Sequence, residues 1–269
     1  MGTKPTETLA TLERVLRRSL SSAGEVLLNK FKKTTIVAYK NPISIVTEAD
    51  QEAERRILRE IRKCFPGHAL LTEESPPHET NSPYRWIIDP LDGTTNFSHG
   101  LPHACVSVGL EKDGRMLMGG VWDPFKKELF FACRGRGATL NGRPITVSRR
   151  KKLIGSLLVT GFPYDRQKNA RYYLSFYEKF MVRTQGIRRY GAAALDMCYV
   201  ACGRFDGFWE FKLNPWDVAA GQLIVEEAGG RLSDFTGRPF DLNRPQQILC
   251  TNGCLHAVMA TILKKGLRK

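Results

Sequence analysis

Apolar residues at Leu9, Leu12, Leu16, Leu20, Val26, Leu27 and Phe31 recur close to the helical repeat, which predicts one long amphipathic helix at the start of the chain. A second helix is predicted in "VTEADQEAERRILREIRKCFPG", with Thr47 as N-cap, Asp50 three residues on, and Pro66-Gly67 as the stop. "ALLTEE" and "RWIID" then read as short buried strands, each ending in acids. The polar, proline-rich "SPPHETNSP" between them is a loop, where variation and mobility are expected. From 104 to 133 the pattern becomes "ACVSVGLEKDG", "RMLMGGVWDP" and "KELFFACRG", three apolar runs separated by turn residues, which is the pattern of an antiparallel meander. "ATLNGRPI" adds an Asn141-Gly142 hairpin turn.

Past the basic "SRRKK" stretch, strands and helices alternate. The order is "GSLLVTG", a helix from about Asn169 to Arg183, "GIRRY", the small-residue helix "GAAALDMCYVACG", "DGFWEFKL", the helix "PWDVAAGQLIVEEAGG", "GRLSDF", "ILCTN" and a closing helix. Alternation of this kind implies helical layers around a sheet. A boundary near 150 divides the chain into an N-terminal α+β half, 1–150, and a C-terminal α/β half, 151–269, expected to form one compact unit. The aromatics Tyr172, Tyr173, Phe176, Tyr177 and Phe180 fall near helical spacing, as core or subunit-interface residues rather than a base-stacking platform.

Composition narrows the class. A chain of 269 residues, 42% hydrophobic, can bury a full core and is neither disordered nor fibrous. It has no secretory apolar segment and no run of about 18 uncharged apolar residues, so a soluble, cytoplasmic protein with no membrane partner is expected. The opening M-G-x-x-x-T fits a myristoylation signal formally, but so short a pattern arises often by chance. Seven cysteines, an odd number, point to reduced thiols buried as small apolar residues. The pairs Cys198/Cys202 and Cys250/Cys254 have helical spacing but no neighbouring histidine to complete a zinc site, so both are assigned to packing. Lys plus Arg number 41 against 27 Asp plus Glu, a formal charge of +14. That surplus attracts phosphorylated metabolites and polyanions; scattered as it is in small groups, it reads first as a solvated basic surface and second as contact with nucleic acid.

Acids at strand ends carry the chemistry. Glu73 and Glu74 end one strand, Asp89 and Asp92 the next, and Asp217 opens a helix after Asn214-Pro215-Trp216. If they meet, like charges raise one another's pKa unless a cation joins them. Carboxylates, the Thr94 hydroxyl and the Leu91 carbonyl are hard oxygen donors with no histidine among them, a set suited to Mg2+ or Mn2+. Gly93, Thr94 and Thr95 follow at a strand-to-helix handover, where free amides and a helix dipole receive an anion such as phosphate. Metal on one side of a phosphate and amides on the other describe metal-assisted phosphoryl hydrolysis. By itself Asp-Pro-x-Asp-Gly is ordinary turn chemistry; its company changes the reading.

"WIIDPLDGTTNFSHGLP" resembles the first signature of the inositol monophosphatase family, and "PWDVAAGQLIVEEAGG" resembles its second. "IVTEAD" and "LLTEES" resemble two further family elements in the right order, so the likeness spans about residues 8 to 262. The resemblance implies the layered αβαβα sandwich of that superfamily, often dimeric, and a Mg2+-dependent phosphatase of small polyol or sugar phosphates, with inositol 1-phosphate foremost. Fructose 1,6-bisphosphate, histidinol phosphate and a 3′-phosphonucleotide compete as substrates. It makes Glu73, Asp89, Asp92 and Asp217 metal ligands, with the Leu91 carbonyl and Thr94 hydroxyl completing the shells. Asp50 would hold Thr94, the pair orienting or deprotonating the attacking water, and Gly93, Thr94 and Thr95 would contact phosphate. Gly191 and Ala193 would line the sugar-ring pocket, and Glu210 would receive a substrate hydroxyl, although an acid in "FWEFKL" reads equally as an exposed strand residue.

Three positions depart from the family pattern: Thr72 where glycine is usual, Ser44 where aspartate is common, and Lys40 one place from the usual mobile-loop lysine. His99 and His103 are expected as loop and packing residues. A reading of a different class, an RNA-associated regulator of transcription antitermination, rests on a similar bacterial paralogue and on the basic charge.

Overall fold

The computed structural model describes residues 7–41, 44–244 and 247–267. The myristoylation pattern, residues 1–6, lies outside them, as do the side chains of Lys40 and Ser44.

The first predicted helix is α1 (Leu9–Lys30), capped by Thr8, whose hydroxyl accepts from the Thr11 amide. The second is α2 (Glu48–Cys64), with Thr47 and Asp50 forming the anticipated capping box. Between them lies the antiparallel pair β1 (Ile36–Asn41) and β2 (Ser44–Thr47), which the hydrophobic pattern does not announce: Asn41-Pro42 is a turn dipeptide, but the flanking runs do not alternate. A seven-stranded sheet follows in chain order: β3 (Ala69–Thr72), β4 (Tyr84–Asp92), β5 (Cys105–Lys112), β6 (Arg115–Asp123), β7 (Glu128–Cys133), β8 (Ala138–Leu140) and β9 (Arg143–Pro144). β3 and β4 are parallel and the rest antiparallel, as the meander requires. The "SPPHETNSP" loop is tied to β3 by paired backbone hydrogen bonds between Leu70 and His78, each 2.9 Å.

The short helix α3 (Thr94–Ser98) interrupts this sheet after β4. A second sheet takes the order β11-β10-β12-β14-β13, from β10 (Leu157–Thr160), β11 (Gly186–Arg188), β12 (Gly207–Phe211), β13 (Arg231–Ser233) and β14 (Gln247–Thr251). β11, β10 and β12 run parallel. Its helices are α4 (Arg166–Met181), α5 (Ala193–Ala201), α6 (Pro215–Glu227) and α7 (His256–Gly266). α4 begins earlier than the pattern indicated and carries a kink at Asn169.

Successive residues of one strand feed different cores, as a period of two demands. Trp86 and Ile88 pack with α1 and α2, while Ile87 faces α5 and α6. Phe208 and Cys250 join Ile87 in that middle core, and Trp209 and Leu249 face the outer core of α4 and α7. The layers are therefore helix, sheet, helix, sheet, helix, the sandwich that the resemblance implied. Small residues set the central spacing: a Cβ on Gly119 would stand 2.7 Å from the Ala220 carbonyl oxygen, so α6 lies directly on the larger sheet. Tyr173, Phe176 and Phe180 are core residues against Phe211, Phe235 and Trp209, and Tyr172 is exposed. The cysteines are free thiols, and the expectation that all are buried needs correction: Cys64 and Cys202 are half-buried at or beyond helix ends, and Cys254 is exposed in the Gly253–Leu255 connection, outside β14 and α7.

Candidate active site

The carboxyl ends of the parallel strands in both sheets open onto one cavity of about 290 Å³. Such ends are where open α/β sheets bind ligands, because connecting loops diverge there. Glu73, Asp89, Leu91, Asp92, Gly93, Thr94, Thr95, Gly191, Ala193, Glu210 and Asp217 all line it. Asp50 stands behind this lining and reaches it through Thr94.

Residues three apart on a regular strand point to opposite faces, so Asp89 and Asp92 need an explanation. Asp89 pairs with Ser107 and Asp92 with Cys105, which leaves one extra residue in β4. This bulge at Pro90-Leu91 resets the alternation and brings both carboxylates to the cavity. It also places proline where no ladder hydrogen bond is lost. Gly93 ends the strand with φ +93°, and a Cβ there would lie 2.9 Å from the His103 carbonyl oxygen. The amides of Thr94 and Thr95 open α3 and have no acceptor within their own helix.

Short bonds fix the acids. Asp50 Oδ2 accepts from the Thr47 amide at 2.8 Å and the Thr47 hydroxyl at 2.6 Å. The Thr94 hydroxyl lies 3.1 Å from Asp50 Oδ1 and 3.0 Å from the Leu91 carbonyl oxygen, so its one proton serves either acceptor. Asp89 accepts from the Leu91 amide at 3.0 Å, and Asp92 from the Ala194 amide at 2.7 Å, at the start of α5. Asp217 closes a capping box, accepting from the Asn214 amide at 2.6 Å.

The electrostatics are those of a crowded anionic site. Burial, then the charges of Glu73, Asp92 and Asp217, push Asp89 well above the usual carboxylate range. Burial pushes Asp92 up to about 7, with the Ala194 amide opposing and Glu73 adding. Asp217 is raised by burial and by Glu73, and Asp50 to about 6 by burial against the Thr47 bonds. Burial raises Glu210 to about 8, with Arg189 opposing and Asp92 adding. Half-buried and lining the cavity, Glu210 is a pocket residue rather than an exposed strand position.

Among the described residues, no three Asp, Glu, His or Cys side chains already stand in a geometry that would hold a metal ion. The four acids surround one cavity instead. Their donor chemistry and shared charge fit a divalent cation, toward which the side chains would have to draw in.

Several site residues carry no signal in the sequence. Glu54, buried on α2, accepts from the hydroxyls of Thr72 and Ser75 and from the Glu74 amide at 3.0 Å, bracketing Glu73. Thr72 therefore uses the hydroxyl that glycine lacks. Asp196 is buried in α5 with both carboxylate oxygens unpartnered. Phe162, Tyr164, Arg166, Arg189 and Lys212 form the opposite wall, and Gly161 leaves the space that the Glu210 carboxylate fills. His103 is buried beside Tyr190, its ring centroid 4.8 Å away, and burial with the Lys126 charge lowers its pKa to about 4. His99 is exposed; neither histidine lines the cavity.

A five-layer α/β protein with an acid-walled cavity between the strand ends of two sheets is a narrow structural class. The chain belongs to the inositol monophosphatase family, whose model it matches over residues 8–267. It is 46% identical to the Nus factor SuhB of Pseudomonas aeruginosa, over 91% of this chain and 93% of that one. It is 44% identical to the inositol-1-monophosphatase of Synechocystis, over 95% of this chain and 89% of that one. The crystal structure of the extragenic suppressor protein suhB from Bartonella henselae superposes with a TM-score of 0.91 at 39% identity, covering 95% of this chain and 99% of that one. No helix among the described residues is long and apolar enough to cross a membrane.

Proposed function

We propose that the protein is a Mg2+-dependent phosphomonoesterase of small polyol or sugar phosphates, with inositol 1-phosphate foremost, its two halves closing one catalytic unit. The observation that carries this reading is the cavity itself: Glu73, Asp89, Asp92 and Asp217, the three aspartates with raised pKa values, line a space of about 290 Å³ together with Gly93, Thr94 and Thr95. The Synechocystis relative, an inositol-1-monophosphatase by name, supports it.

Glu73, Asp89, Asp92 and Asp217, with the Leu91 carbonyl and the Thr94 hydroxyl, would hold the cation. When bound, Mg2+ lowers the pKa of water and offsets charge on the leaving oxygen. Asp50 accepts the Thr94 proton, which leaves a Thr94 lone pair to orient the attacking water. The amides of Gly93, Thr94 and Thr95 take the phosphate oxygens, and Gly191 and Ala193 border the ring. At a pKa of about 8, Glu210 is mostly protonated at neutral pH, so it can donate to as well as accept from a substrate hydroxyl. By the same resemblance the enzyme works as a homodimer, which sedimentation tests.

Phosphate release should be measured over inositol 1-phosphate, fructose 1,6-bisphosphate, histidinol phosphate and adenosine 3′,5′-bisphosphate, with and without magnesium. Turnover of at least one ester only with magnesium is expected; no turnover of any sinks the reading. A second reading, association with RNA or the transcription machinery, is favoured by the name of the Pseudomonas relative and by the +14 charge. Binding to RNA that keeps its sequence preference at physiological salt supports it, and binding that vanishes there without preference contradicts it.

A further inference from the structure

Two side chains at the β4–α3 junction reach across to the connection between β11 and α5. Asp92 accepts from the Ala194 amide at 2.7 Å, and Asn96 donates to the Tyr190 carbonyl oxygen at 2.8 Å. Asn96 Nδ2 also donates to the His103 carbonyl oxygen, 2.9 Å away in the loop that follows α3. Carbonyl oxygens only accept, so both amide protons are committed, and no hydroxyl or carboxylate could make the same pair of bonds. Both bonded segments border the site. The His103 carbonyl oxygen is the atom that a Cβ on Gly93 would meet at 2.9 Å, so it backs the phosphate cradle. Tyr190 leads into Gly191, which turns at φ +80° and lines the ring side of the cavity. The His103 and Tyr190 rings pack on each other as well, with centroids 4.8 Å apart. The two ties differ in their other duties. Asp92 would also hold the cation, whereas Asn96 lies outside the cavity lining and keeps both its bonds whatever the acids bind.

We propose that Asn96 is a positioning residue: by bridging the Tyr190 and His103 carbonyls it fixes the ring wall at Gly191 and Ala193 relative to the phosphate cradle at residues 93–95. The two ends of a substrate are then read against one rigid frame. The inference rests on the phosphatase reading above and adds a residue that the reading does not use.

The test uses N96A, which removes both bonds, and N96D, which keeps the shape and has no proton to give. With magnesium-loaded enzyme, kcat/KM for inositol 1-phosphate should fall about tenfold in N96A and further in N96D. Inorganic phosphate occupies the cradle without touching the ring wall, so its inhibition constant in N96A should shift less than about threefold. Equal losses for ester and phosphate mean that α3 itself has been disturbed, and they overturn the positioning role. So does an unchanged kcat/KM in both variants. Amide hydrogen exchange in cation-free protein gives a readout independent of turnover. Peptides covering residues 189–196 should exchange about tenfold faster in N96A than in the natural chain, while those of β5 and β6 stay protected. Unchanged protection at 189–196 in both variants overturns the tie whatever the kinetics show. Faster exchange there in a chain whose natural form hydrolyses no ester keeps the tie and sinks the phosphatase.

Discussion

On the acid side of the cavity, Asp50, Asp89, Asp92 and Asp217 are each held by a backbone amide within 3.0 Å, two of them in helix capping boxes. On the opposite wall the working groups are long side chains at strand ends, and Arg189 and Lys212 are exposed. The contrast teaches where tolerance lies. A carboxylate anchored by a backbone amide has only a short way to move toward a cation, whereas a flexible guanidinium adapts to whatever the substrate presents.

The sharpest break of this contrast is Asp92→Asn. The amide keeps an oxygen for the Ala194 N–H, so the fold should survive while kcat/KM for phosphate release falls on the order of a thousandfold, about 4 kcal/mol. Unchanged turnover would remove Asp92 from the chemistry. Next comes Glu54→Ala, which strips the acceptor shared by Thr72, Ser75 and Glu74. A stability loss of about 1–3 kcal/mol by urea unfolding is expected. With it should go a drop of roughly 10–100-fold in magnesium affinity, because the residues around Glu73 lose their support.

The third prediction concerns pH. Asp50 and Asp92, raised to about 6 and about 7, bind protons in the folded chain that the unfolded chain has already lost. In cation-free protein these acids therefore lower stability as pH rises from about 4 to about 7. His103 and His256, both lowered to about 4, act oppositely, since their protons are lost on folding between about 4 and about 6.5. The difference in melting temperature with and without magnesium cancels the histidines. It should grow from pH 5 to 8, reaching roughly 5 °C at saturation. A difference that shrinks across that range contradicts the assignment. The smallest expected effect is Glu210→Gln, about tenfold in kcat/KM and confined to substrates with a hydroxyl near the ring. An unchanged substrate profile removes Glu210 from the pocket.

Nearly all regular elements were legible in the sequence, because their apolar periodicity and turn dipeptides are local. Asp89, Asp92 and Asp217 announced themselves in long signatures at strand ends and a helix start. Glu54 did not: on α2 it has the look of any polar position of an amphipathic helix, and only the fold turns it inward toward Thr72. Asp196 is hidden in the same way within "GAAALDMCYVACG". Arg166 and Arg189 belong to a scattered basic surface until β10 and β11 are set side by side. The pairing of β1 with β2 left only the Asn41-Pro42 dipeptide as a trace, because the flanking runs are short and do not alternate.

The most direct measurement is an anomalous-scattering map from crystals soaked in Mn2+. Metal peaks between Glu73, Asp89, Asp92 and Asp217, with those side chains drawn inward, are predicted. A crystal saturated with manganese that shows no peak in the cavity, or places the ion away from these four acids, would contradict the account.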